Sequence, residues 1–299
     1  MLFIASRPGN LPRTWAQMNR VHSLYLLRPR QWIKNLIMFF PPFLSGSLFS
    51  STLLSLTGAL SFISFCCVSS ALYIFNDLND MERDSLHPVK RLRPLPSGAV
   101  SKRLASVTGI TMGTLGFVVA VLAVQPLILY LLLYGAVTIV YTKWFKNFPV
   151  VDLFCISCGF LIRLQAGGTI FNVDISEWLF LSVFFLSLFL SAGKRLSEQN
   201  LLGADAADHR TSLNDYSDGT LDAILQVSAA TVLVTYTMYT VAHPQLVYTV
   251  PLCTFGLFRY LQRVKSGNSG DPTESLFRDI PLLCVSILWA LLVGWSIYL

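Results

Sequence analysis

The densest chemistry in this 299-residue sequence lies at Asn76-Asp77-Leu78-Asn79-Asp80-Met81-Glu82-Arg83-Asp84, directly after an apolar run that ends at Phe75. At about 100° per residue on a helix, Asn76, Asp77, Asp80 and Asp84 share a sector of about 100°, and Glu82 points the other way. Three carboxylates so close repel one another and raise one another's pKa unless a cation sits among them. A hard divalent ion answers that need. Magnesium keeps several waters and takes one or two carboxylates plus phosphate oxygens, which suits an open cluster at a helix end. Asn76, Asp77, Asp80 and Asp84 are therefore candidate Mg2+ ligands. A solvated acidic helix end is the plain alternative, and it gives no reason to segregate the carboxylates from Glu82.

Cations follow at once, in His87-Pro88-Val89-Lys90-Arg91-Leu92-Arg93-Pro94-Leu95-Pro96-Ser97-Gly98. Pro88 is expected to end the helix and the later prolines to hold the loop extended, presenting Lys90, Arg91 and Arg93 as a stiff strip. Either cluster alone would be ordinary decoration of a membrane surface. Side by side, they suit a metal-bound diphosphate. A second charged stretch runs Lys194-Arg195-Leu196-Ser197-Glu198 and on through Asp205, Asp208, His209-Arg210 to Tyr216. Lys194 and Glu198, one helical turn apart, could pair with each other or flank a phosphate and its metal. Further cations lie in Arg28-Pro29-Arg30-Gln31-Trp32-Ile33-Lys34-Asn35 and, with Tyr141, at Lys143 and Lys146. Arg163 and Asp152 share one apolar run about 16 Å apart along a helix, so each needs its own partner. A charge deep in a span is costly and faces the bundle interior; Arg163 serves either phosphate or helix packing.

The elements that must position these residues are helices in a membrane. The chain is 54% apolar and only 13% charged, with mean hydropathy +0.58, whereas soluble domains carry about twice that charge. Apolar runs near 33–49, 53–75, 104–124, 126–142, 150–169, 177–194, 220–242, 246–262 and 276–298 predict an all-α polytopic bundle of nine transmembrane helices. With the amino terminus cytoplasmic, 21 of the 22 Lys and Arg residues fall on the cytoplasmic side, Arg163 excepted. Residues 1–31 read as a cytoplasmic segment, with Trp15, Met18, His22 and Tyr25 spaced as an interfacial amphipathic helix. The catalytic membrane domain is then 32–299, with long cytoplasmic loops 76–103 and 195–219. Segment 263–275, rich in Gly and Ser with Asp271-Pro272, reads as a flexible connector, with a lid over a site as the alternative. The first 35 residues have no early apolar core, so a cleavable signal peptide is not expected. The net charge of +6 gives no case for nucleic-acid binding, and a homo-oligomer is compatible with the pattern. Cys66, Cys67, Cys155, Cys158, Cys253 and Cys284 all sit in apolar runs, and the lone CxxC reads as packing.

Nine runs, Asn76-Asp77-x-x-Asp80-x-x-x-Asp84 closing the second, and a polar loop after the sixth together resemble the UbiA superfamily of intramembrane prenyltransferases over about 22–298. Finer resemblance, to the branch that moves a phosphoribosyl group onto a polyprenyl phosphate, is carried by LRPRQWIKN at 27–35, HPxKRxRPLPSG at 87–98, KRxxE at 194–198, HR at 209–210 and Tyr216. The resemblance implies a plasma-membrane enzyme with a cytoplasmic site, Mg2+ as cofactor, and 5-phosphoribosyl 1-diphosphate and polyprenyl (decaprenyl) phosphate as substrates. Its product would be a cell-envelope polysaccharide precursor. It implies Asp77, Asp80 and Asp84 as catalytic, and Lys34, Tyr73, Lys90, Arg91, Tyr141, Lys143, Arg163, Lys194, Arg195, Glu198 and Arg210 as substrate-binding. Aromatic prenyltransferases of the superfamily usually carry an acidic DxxxD in the second loop. Here Lys194, Arg195 and Glu198 stand in that stretch, which suits two phosphorylated substrates. An aromatic (4-hydroxybenzoate-type) polyprenyltransferase is the alternative within enzymes, and a cation-coupled transporter the alternative outside them. Against the transporter, only Arg163 is a clear polar group near mid-span.

Overall fold

A computed structural model describes residues 24–86, 88–202, 216 and 219–299. Among them the chain is helical, with no strand. A 3-10 helix, Pro29–Phe39, leads into α1 (Phe40–Leu44), α2 (Thr52–Asn79) and the short α3 (Met81–Leu86). Then come α4 (Lys102–Ala123), α5 (Leu127–Lys143), α6 (Val151–Phe171), α7 (Glu177–Leu202), α8 (Thr220–Ala242), α9 (Val250–Lys265), α10 (Pro272–Arg278) and α11 (Ile280–Tyr298).

Six of these helices, α2, α4, α6, α7, α8 and α11, are long and apolar enough to cross a membrane, and α5 is apolar but shorter. The first and eighth apolar runs take other forms. Prolines interrupt the first, where Pro29 opens the 3-10 helix and Pro41-Pro42 lie in α1. The eighth becomes a 3-10 turn, Pro244–Thr249, followed by the 16-residue α9, which ends among Arg263 and Lys265. At 1.5 Å per residue α9 is about 24 Å long, less than the ~30 Å hydrocarbon core.

Lipid is as apolar as leucine, so these helices are held by close packing and interhelical hydrogen bonds. Ser64 on α2 donates to the Gly116 carbonyl on α4 at 2.5 Å. Phe65, Leu127, Leu131, Tyr134 and Phe171 fill one apolar core; Phe189, Leu225, Val232 and Tyr260 fill another. The 3-10 helix is pressed so hard onto α6 that a Cβ at Gly167 would lie 1.9 Å from the Met38 carbonyl oxygen. Only glycine permits that approach, and it brings Lys34 and Asn35 alongside α6.

Two sequence expectations about loops are corrected. Segment 88–98 is not extended: it folds into a 3-10 turn at Lys90–Leu92 and further turns closed by Ser97 N–H to the Arg93 carbonyl and Gly98 N–H to the Leu95 carbonyl, each at 3.0 Å. Segment 263–275 is not a bare connector: Asp271 caps α10 by accepting from Thr273 N–H at 3.1 Å and Glu274 N–H at 3.2 Å. The expected interfacial helix through Trp15, Met18 and His22, and the candidate Arg210, lie outside the described residues.

Candidate active site

A cavity of about 260 Å³ opens where α2, α5 and α7 end and α6 begins. Eight cations line it, Arg28, Lys34, Lys90, Arg93, Lys146, Arg163, Lys194 and Arg195, against three carboxylates, Asp80, Asp84 and Glu198. Leu72, Val137, Ile156, Phe160 and Leu190 supply apolar wall beside them. Such a lining offers seats for several anionic oxygens next to room for hydrocarbon.

The acidic cluster is arranged differently from the one-sided array expected of a single helix. The helix bends at Asp80, between α2 and α3; Asn76, Asp80 and Asp84 reach the cavity lining and Asp77, before the bend, does not. Asp77 instead pairs with Arg28 and, at 3.2 Å, with Arg93. Arg93 also holds Asp84 at 2.6 Å, Lys146 pairs with Asp80, and Thr142 donates to Asn76 Oδ1 at 3.2 Å. Burial raises the Asp84 pKa against the pull of Arg93 and Lys90. Glu82 is exposed, as its position on the helix requires.

Among the described residues, no three His, Cys, Asp or Glu side chains stand so that they could hold a metal unaided. On its α2–α3 side the cavity offers two carboxylates, Asp80 and Asp84, and the amide oxygen of Asn76, an all-oxygen set. That set fits magnesium, which takes one or two carboxylates and completes its shell with water and substrate phosphate. All six cysteines are free thiols.

Around Arg195 a buried network ties α6 to α7. Arg195 Nε donates to Asp152 Oδ2 at 2.7 Å, Nη1 to Glu198 at 2.8 Å and Nη2 to the Tyr141 hydroxyl at 3.1 Å. Glu198 therefore pairs with Arg195, not with Lys194. Tyr216 donates to Asp152 Oδ1 at 3.0 Å and accepts from Val150 N–H at 2.6 Å. Val150 has φ 65° and ψ −50°, and Val151 N–H reaches back to the Pro149 carbonyl at 2.7 Å. That is a γ-turn of the strained hand, rare for a β-branched residue, and it sets the start of α6 so that Asp152 faces Arg195.

Arg163 lies over the Tyr134 ring at 4.1 Å. It donates to Asn35 Oδ1 and to the Gly159 carbonyl, both at 2.7 Å. Asn35 in turn donates to Ser69 at 3.3 Å, so Arg163 braces α6, the 3-10 helix and α2 while still lining the cavity. Lys194 meets Asp271 at 3.1 Å.

The cavity thus gathers Lys34, Tyr73, Lys90, Tyr141, Arg163, Lys194, Arg195 and Glu198 from the sequence candidates. Arg91 and Lys143 are exposed and do not line it. In their place stand Arg93 and Lys146, two and three residues further on. Arg28, stacked on Tyr73 at 5.5 Å, also lines the cavity, and Asp271 stands behind the lining residue Lys194; sequence reasoning singled out neither as a site residue. For Arg28 a signal existed, in the cation-rich segment 28–35. For Asp271 the signal was only the lid alternative for segment 263–275; its pairing with Lys194 depends on how α10 docks.

Fold and site together define an all-helical, multi-pass membrane protein built around one strongly cationic cavity with oxygen ligands at its rim. The chain belongs to the UbiA prenyltransferase family, which it matches over residues 39–287, and it is a transferase of that family. It is 30% identical over 290 residues to decaprenyl-phosphate phosphoribosyltransferase of Mycolicibacterium smegmatis, covering 91% of each chain. The enzyme of the same name from Corynebacterium glutamicum is 30% identical over 285 residues, covering 91% of this chain and 86% of that one. In fold it resembles a UbiA homolog from Archaeoglobus fulgidus solved with GPP and Mg2+, at TM-score 0.68 and 21% identity, over 93% of this chain and 99% of the other.

Proposed function

We propose that the chain transfers the 5-phosphoribosyl group of 5-phosphoribosyl 1-diphosphate to a polyprenyl phosphate, decaprenyl phosphate in the first instance, with magnesium as cofactor. The observation that carries this reading is the lining itself: eight cations against three carboxylates, an excess suited to two phosphorylated substrates. The names of relatives 30% identical over nearly the whole chain support the same reaction.

In this reaction an oxygen of the lipid phosphate forms a bond to the anomeric carbon as the bond from that carbon to the diphosphate oxygen breaks, and diphosphate leaves. The attacking oxygen is already anionic near neutral pH, so no strong general base is required. Catalysis rests on positioning and on stabilising charge as it moves onto the leaving group. Asn76, Asp80 and Asp84 would hold magnesium, which neutralises diphosphate charge when bound. Lys90, Arg93, Lys146 and Lys194 face phosphate oxygens, and Arg163 fixes the depth of the site through its hold on Asn35. The apolar wall receives the first isoprene units.

The same reading sets the chain in the plasma membrane with nine crossings, the amino terminus and the cavity on the cytoplasmic side, and the product feeding cell-envelope polysaccharide synthesis. The basic residues concentrated on one side support that orientation. Purified protein incubated with Mg2+, polyprenyl phosphate and labelled phosphoribosyl diphosphate should yield labelled lipid. No labelled lipid with any divalent ion would overturn the proposal; transfer of a prenyl group to 4-hydroxybenzoate under the same conditions would replace it with the aromatic alternative.

A further inference from the structure

Asp271 is not a site candidate in the sequence, yet the fold drives it against Lys194 of the cavity wall. The segment that carries it is clamped onto α7. Tyr260 donates to the Gly270 carbonyl at 2.6 Å and to the Leu190 carbonyl at 3.1 Å. Ser197 accepts from Gly270 N–H at 2.9 Å and donates to the Asn268 carbonyl at 3.0 Å. The approach is so close that a Cβ on Gly270 would stand 2.4 Å from the Gly193 carbonyl oxygen. The two carboxylate oxygens then divide their work. Oδ1 caps α10 through Thr273 and Glu274, and Oδ2 takes the Lys194 ammonium at 3.1 Å. Lys194 is the residue after Gly193, so the clamp fixes both ends of this ion pair at once. Pro272, the next residue, is itself part of the cavity wall.

We propose that Asp271 is a positioning residue for the transfer reaction, holding the Lys194 ammonium at a fixed point of the wall where it meets a phosphate oxygen of the substrate. The proposal rests on the reading that this cavity binds phosphorylated substrates. A lysine carries a compact charge on a flexible four-carbon stem, and left alone among Lys34, Arg163 and Arg195 it would swing away from like charges. The one carboxylate at 3.1 Å removes that freedom before substrate arrives, which is how an ordered site gains rate.

The test separates charge from capping. In Asp271→Asn the amide oxygen can still cap α10, but the partner charge for Lys194 is gone. Affinity for inorganic pyrophosphate with Mg2+, read by calorimetry in detergent, should fall about tenfold to a hundredfold, the usual loss when an outer-shell partner is removed. kcat/KM for phosphoribosyl diphosphate should fall alongside it, while Tm drops by less than about 10 °C, the share the charge pair itself contributes. Lys194→Ala should show the same losses, and adding Asp271→Asn to it should cause no more, because the two act as one unit. Asp271→Glu, which restores charge on a longer arm, should recover part of the affinity. Unchanged pyrophosphate affinity in Asp271→Asn, or losses that multiply in the double variant, would overturn the proposal. If the unaltered protein transfers no phosphoribosyl group, the proposed reaction falls, and the pyrophosphate measurement still decides the role of Asp271.

Discussion

Arg195 and Asp152 meet at 2.7 Å between α7 and α6, with side chains 3% and 0% exposed. The pair is charge-matched and also hydrogen-bonded at its edges by Tyr141, Glu198 and Tyr216. Replacing Asp152 by Ala leaves the Arg195 charge buried with, among the described residues, Glu198 as its remaining carboxylate partner, a defect that costs about 3 kcal/mol in comparable settings. Thermal unfolding in detergent should show Tm lower by roughly 6–12 °C. A loss below about 2 °C would mean that the pair does not hold α6 to α7.

Asp80 lines the cavity beside Asn76 and Asp84, and Glu82 faces outward. Asp80→Asn should lower kcat at least about a hundredfold and raise the Mg2+ concentration for half-maximal rate. Glu82→Gln should stay within about twofold of the parent. Magnesium titrations of the two variants side by side give the answer, and equal losses would remove the case for this face of the helix.

Lys194 is in the wall and Arg91 is exposed away from it. Lys194→Gln removes a charge-assisted hydrogen bond, so KM for phosphoribosyl diphosphate should rise about tenfold or more. Arg91→Gln should leave KM within about twofold. Steady-state kinetics with both substrates varied tests this, and a larger effect at Arg91 would contradict the geometry.

Two carboxylates set an acid limit on stability. At Asp279, hydrogen bonds from Arg259 outweigh burial and, with Leu282 N–H and Arg263, hold its pKa at about 2 against an ordinary value of 3.8. At Asp271 burial pushes upward, yet Lys194, Lys34 and the cap on α10 bring it to about 2 as well. Both values are depressed, so both groups contribute stability that is complete above pH 3.8 and is lost as pH falls through about 2. Fluorescence-detected unfolding should therefore decline steeply between those limits. Asp279→Asn should unfold more easily than the parent at pH 7 and converge with it near pH 2; a constant gap across that range would assign the loss to other groups.

Much of this was legible in the sequence. Hydrophobic run lengths marked the helices, and the segregation of Glu82 from Asp80 and Asp84 survived folding. What failed was whatever depends on partners from elsewhere in the chain. The shared sector of residues 76–84 placed Asp77 with the cavity carboxylates, but Arg28 and Arg93 take it as a partner outside the lining. The one-turn spacing of Lys194 and Glu198 suggested a mutual pair, but α10 brings Asp271 to Lys194, and Glu198 is taken by Arg195. Such contacts span 77 residues in the Lys194–Asp271 case, so periodicity along one helix carries no trace of them. Pro41-Pro42 mark the interruption that shortens α1, a break that total hydrophobicity does not register.

The pairing of Asp80 with Lys146, and of Asp77 and Asp84 with Arg93, has a consequence for how the cavity fills. The acidic side of its rim is already a set of paired salts, so that side does not draw in a bare anion or a bare cation strongly, although the lining as a whole carries an excess of cations. A ligand that arrives as its own salt, phosphate together with a dication, can trade counter-ions with the rim at nearly constant total charge. Selectivity then resides in the exchange: a lone phosphate would have to pull Lys146 and Arg93 off their carboxylates and leave those carboxylates stranded in a half-dry site, a cost of several kcal/mol per ion.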